Sequence, residues 1–161
     1  MRRLVAALLL SLLALIPSAR ATDIGGVWNF DQAAWAAQTD KLMAAMLAAL
    51  APQDLAAMKA SGIDVEKAYR EGLSEPIDGA IEFLPGGRLR VTAAGEETVE
   101  EGTWALHGDQ LRVEYPNGEQ RDALEGSVAG DRIVLKPVIT DPSSPDAPVL
   151  DAIVVTLVRG R

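Results

Sequence analysis

His107 is the only histidine in the chain, and the carboxylate of Asp109 follows two residues later. An imidazole oriented by a carboxylate is the general-base half of a hydrolytic triad. The other half, a nucleophilic serine in a G-x-S-x-G turn with an oxyanion site, has no counterpart in the sequence. Cysteine is absent altogether, which removes thiolate nucleophiles, thiolate metal sites, haem attachment and disulfides. Met43, Met46 and Met58 carry the soft sulfur that Cu(I) prefers, but no histidine or cysteine accompanies them, so core filling is their expected role. Glu96, Glu97, Glu100 and Glu101 near Gly95, and Asp141 with Asp146 in TDPSSPDAP, are rich in oxygen, yet the EF-hand spacing is missing. The glutamates read as a charged hairpin that guards a sheet against edge pairing, and TDPSSPDAP as a long surface connection or flexible lid. No catalytic residue, metal ligand or cofactor is expected.

What positions His107 is a turn. PGGRLRV, HGDQLRV and AGDRIVL align glycine on glycine at Gly86, Gly108 and Gly130, 22 residues apart. Glycine supplies the positive φ of a tight turn, and aspartate tolerates it. Between these turns lie AAGEE and PNGEQ, so a turn recurs about every 10 to 12 residues, the rhythm of hairpin-linked strands. From Asp78 onward apolar residues alternate with polar ones: Ile81 and Phe83, Leu89 and Val91, Trp104 and Leu106, Leu111 to Tyr115, Ile133 and Leu135, then Ile153, Val155 and Leu157. A period of two with one apolar face predicts an antiparallel meander.

Residues 31 to 72 differ. Asp31 offers an N-cap, and QAAWAAQTDKLMAAMLAAL runs to Leu50 without glycine or proline. At about 100° per residue Trp35, Leu42, Met43, Met46, Leu47 and Leu50 share one side, with Lys41, Ala45 and Ala48 opposite. Pro52 ends this helix and opens a second, to Ala60. Asp64 caps a third, in which Val65, Ala68 and Tyr69 share a face and Gly72 closes the end. IGGVWNF, before the block, reads as a first strand.

The opening MRRLVAALLLSLLALIPSARA has two arginines, an apolar run from Leu4 to Ile16 and the small-x-small triplet Ala19-Arg20-Ala21, the pattern of a secretory signal. Cleavage after Ala21 leaves residues 22–161 as a single domain, periplasmic or secreted, with no integral membrane segment. That part holds twelve basic and twenty-three acidic side chains, a net charge of −11. Such a surface repels phosphate backbones and anionic headgroups, which argues against nucleic acid, and it suits a soluble monomer.

GVW in the first strand, IEFLPGGRL as strand and turn, and GTWALHGDQL together resemble the lipocalin-like (calycin) group of small bacterial barrels. The likeness covers Ile24 to Phe30 and about Asp78 to Arg159, and departs at the helical insertion 31 to 72. With the strand count and the helical block, it predicts a mainly β (α+β) fold, an antiparallel meander of about eight strands forming a barrel or strongly curved sheet, with two or three helices inserted after strand 1. An open sheet packed on the helices is the alternative. The function it implies is non-enzymatic binding of a small apolar or amphipathic ligand, lined by Trp28, Trp35, Met43, Met46, Phe83 and Trp104. The competing expectation is a protein-interaction or protease-inhibitor-type module that meets a protein partner through its surface, centred on Glu96 to Glu101.

Overall fold

The structure, a computed structural model, describes residues 23–93, 99–117 and 120–160. The expected signal segment and Glu96 and Glu97 lie outside these residues. Eight strands run in chain order: β1 (Gly26–Phe30), β2 (Gly79–Leu84), β3 (Arg88–Ala93), β4 (Val99–His107), β5 (Gln110–Asn117), β6 (Gln120–Ala129), β7 (Arg132–Pro137) and β8 (Val155–Arg159). Each pairs antiparallel with the next and β8 returns to β1, so the meander closes into a barrel. Closure satisfies every strand edge, and the open-sheet alternative falls away.

The alternation read from the sequence decides which side chains fill the interior. Trp28, Phe83, Leu89, Ile133, Leu135 and Leu157 are each 0–1% exposed and belong to one cluster. Outside, charges of opposite sign meet across strands, Arg90 with Glu82 at 3.4 Å and Arg112 with Glu125, and Arg112 also pairs along β5 with Glu114 at 2.8 Å. Glu114 first, then Glu125, holds the Arg112 guanidinium above its ordinary range by accepting its hydrogen bonds.

At one end the strands are joined by the three aligned turns. His107 pairs with Gln110, and Ala129 with Arg132, across the two-residue loops Gly108-Asp109 and Gly130-Asp131. Gly108 has φ +68° and Gly130 φ +59°, whereas no described non-glycine residue has positive φ. Glycine at the first central position is the type II′ arrangement, so the aspartates are not asked to adopt the left-handed region as the sequence reading supposed. In GVW it is the backbone that calls for glycine: Gly26 has φ +103° and open space where a Cβ would stand.

The other end carries helices α1 (Gln32–Ala37), α2 (Thr39–Ala49), α3 (Pro52–Ala60) and α4 (Val65–Ser74) between β1 and β2, and α5 (Ala147–Ala152) between β7 and β8. Asp31 and Asp64 cap as expected, accepting from Ala34 N–H at 3.1 Å and Lys67 N–H at 3.0 Å. Three boundaries need correction. The helix expected from Asp31 to Leu50 breaks at Gln38, and the third helix continues past Gly72 to Ser74. Part of the expected surface loop is α5, whose Ala147 and Ala152 are buried. Its proline, Pro148, reads as a loop signal although proline is at home in a first helical turn.

Candidate functional site

The residues expected to line a ligand divide into two groups. Trp28, Phe83 and Trp104 meet at the turn end as a chain of edge-to-face contacts, with ring centroids 6.4 Å and 5.8 Å apart. Their polar handles are spent on the backbone: Trp28 Nε1 donates to Ile24 O at 2.8 Å, and Trp104 Nε1 to Leu84 O at 3.1 Å and Arg88 O at 2.8 Å. Arg159 lies over Trp28, its Cζ 4.7 Å from the ring centroid, and donates to Gly25 O and Asp23 O. Trp28 is 0% and Phe83 1% exposed, and Trp104 is half-buried against them. This end of the barrel is plugged.

Trp35, Met43 and Met46 sit at the helical end. Trp35 and both methionines are half-buried, and α2, which carries the methionines, packs against α4 and α5. Trp35 Nε1 donates to Leu73 O of α4 at 3.1 Å. The ring borders a void of about 20 Å³ where α1 meets Phe30, Ile77, Val155 and Thr156 at the barrel mouth.

Two glutamines tie the helices to the barrel. The Gln38 amide donates to Val154 O at 2.7 Å and accepts from Val154 N–H at 2.8 Å, just ahead of β8. The Gln32 amide makes the same pair of bonds with Ile77, ahead of β2. A primary amide presents one donor and one acceptor side by side, so it pairs with a backbone residue as a neighbouring strand would. The part-buried Val154 bonds are made from Gln38, the residue at which the first helix is interrupted. Gln38→Ala is expected to cost about 2 kcal/mol, since it leaves a backbone N–H and C=O without their partner. Urea unfolding of the two forms checks this, and an unchanged midpoint would mean that water replaces the amide at no cost.

Between α1, α2 and the end of α4 lies a cleft of about 510 Å³ lined by Trp35, Ala36, Leu73 and Pro76 on its apolar side. Gln32, Thr39, Asp40, Arg70, Ser74 and Glu75 supply its polar rim. Arg70 Nη1 donates to Asp40 Oδ1 at 3.1 Å, and both side chains are more than half exposed. Sequence reading placed Trp35 on the apolar stripe but missed its partners across the cleft. The signal available for Leu73 was its spacing of four from Tyr69 on the face that begins at Val65. Nothing local relates Asp40 to Arg70, thirty residues on.

Two other clefts open at this end, one of about 410 Å³ beside α5 with Asp122 and Asp146 on its rim, and one of about 250 Å³ beside Ile63. His107 and Asp109 stand exposed on their turn, where Asp109 Oδ1 accepts from the neighbouring Gln110 amide at 3.2 Å. Asp141 accepts from the Ser143 hydroxyl and N–H, the hydroxyl first in effect, which holds its carboxyl below the ordinary range. Among the described residues no group of three or more His, Cys, Asp or Glu is placed to hold a metal ion. No described helix is long and apolar enough to cross a membrane. No family model, curated protein or solved structure matches this chain.

Proposed function

We propose that this is an exported, non-enzymatic binding protein of the lipocalin-like kind that holds a small apolar or amphipathic molecule at the helical end of its barrel. The observation that carries the reading is the cleft of about 510 Å³ walled by Trp35, Ala36, Leu73 and Pro76, beside the barrel mouth. Its volume falls within the range of small-molecule sites, and an apolar wall with a polar rim is how such sites select and orient a ligand. The plugged turn end moves the proposed site away from Trp28, Phe83 and Trp104, which serve as the barrel's base, and towards Trp35 with Leu73.

Native mass spectrometry of the protein purified from an exporting host without detergent tests this. The expected result is a reproducible extra mass that is lost on denaturation. A clean apo mass in every preparation, with no uptake from a lipid or metabolite extract, would overturn it. Weight would then pass to a surface-acting, protein-binding or inhibitory module. For that second reading the specific observation is Ile63, 48% exposed beside the smaller apolar cleft of Leu47, Leu55 and Val65.

A further inference from the structure

We infer that the ligand of the Trp35 cleft carries a zwitterionic headgroup, with its cationic part against Asp40 and Glu75, its acidic part on Arg70, and its apolar body on Trp35 and Leu73. The inference rests on the small-molecule reading given above. It starts from the charges on the rim: among the described residues lining the cleft, Arg70 is the one basic side chain, and Asp40 and Glu75 are the acidic ones. A purely anionic ligand would gain Arg70 but meet two carboxylates. A purely cationic one would meet Arg70. A headgroup bearing both signs satisfies each side.

The Arg70–Asp40 pair fits that role because it is weakly committed. It is joined at 3.1 Å through a single guanidinium nitrogen, with the arginine side chain 55% and the aspartate 84% exposed. Exposed pairs of this kind contribute little to folding, so opening one to admit a ligand costs little. A guanidinium has five N–H donors in a planar fork, and a phosphate or carboxylate can take two of them in parallel. On the apolar side Trp35 is held in place by its bond to Leu73 O at 3.1 Å, and an aromatic face also attracts a quaternary ammonium group.

Four probes that share a ten-carbon tail separate the contributions of head and tail: decylphosphocholine, decanoate, decyltrimethylammonium and decyl maltoside, each below its critical micelle concentration. Binding to the purified protein is followed by calorimetry. Decylphosphocholine is expected to bind about tenfold more tightly than any of the other three. Arg70→Gln and Asp40→Asn are each expected to remove most of that advantage, and Trp35→Ala to weaken all four probes. Because Arg70 and Asp40 are exposed, both single variants should keep the parent's unfolding midpoint. Equal binding of the zwitterionic and neutral probes, a preference for either singly charged probe, or indifference to Arg70→Gln would overturn the headgroup assignment while leaving tail binding in place. Failure of all four probes to bind would overturn the assignment together with the small-ligand reading of this cleft.

Discussion

Replacing Gly126 by alanine is expected to destabilise the barrel by about 4 kcal/mol or more, a large part of what a domain of this size has. Gly126 lies midway along β6, opposite Leu111 of β5 and Leu135 of β7. A Cβ there would overlap the Val134 carbonyl oxygen and stand 2.8 Å from Val134 C and 2.9 Å from Leu135 Cα. All three atoms are backbone, so no rotamer change relieves the clash. β6 and β7 must move apart, and their ladder hydrogen bonds lengthen with them. Gly108→Ala is the control: its Cβ meets open space, and only the φ of +68° is unfavourable, at about 1 to 2 kcal/mol. Urea unfolding of both variants decides the matter. If Gly126→Ala lay within 1 kcal/mol of Gly108→Ala, the close packing of β6 on β7 would not be what requires glycine at this corner.

The same residue shows why the strands were unequally legible. β6 is ten residues long, yet it offered the weakest alternation, because Gly126 stands where an apolar side chain would continue the pattern of Leu124 and Val128. The strand could be inferred only from the turns on either side of it. Turn chemistry is local, so the aligned glycines 86, 108 and 130 predicted three hairpins correctly, and with them the meander. Barrel closure is non-local, but once β2 to β7 follow one another through short turns and β1 and β8 flank them, pairing the first strand with the last is the arrangement that leaves no open edge. The break at Gln38 had no local signature. The side chain there pairs with a residue 116 positions away, while residues 31 to 50 read as one continuous helix.

The site was less legible than the fold for a related reason. Large apolar side chains are conspicuous in a sequence, whether they plug a barrel or line a cleft. Trp28, Phe83 and Trp104 share one end because hairpin register places them there, whereas Trp35 belongs to the helical end through Leu73 and Ile77. Arg159 carries a local signal of its position. It continues the inward phase of Val155 and Leu157, and a charged residue in that phase at a strand end must find a partner inside the barrel or at its rim.

Arg159 lies over Trp28 and pairs with Asp131 at 3.5 Å, and Trp28→Ala is expected to cost about 4 to 5 kcal/mol. The ring is 0% exposed and touches Phe83 edge to face, so truncation leaves a cavity that the surrounding strands, fixed by their ladders, cannot collapse to fill. Ile24 O loses its donor in a buried setting, and Arg159 loses the aromatic face beneath it, adding about 1 kcal/mol from each source. Trp28→Phe separates these effects: it keeps an aromatic ring in the core, deletes the N–H, and should cost about 2 kcal/mol. Hydrogen exchange at Ile24 to Gly26 provides the local readout. Arg159 also donates to Asp23 O and Gly25 O, so a displaced guanidinium should loosen this N-terminal run before the rest of the barrel opens. Capture of a ligand at the Trp35 cleft should survive Trp28→Phe, because the two tryptophans belong to opposite ends of the barrel. Loss of capture in a variant that still unfolds cooperatively would mean that the plugged end and the cleft are coupled, and that the base of the barrel takes part in binding.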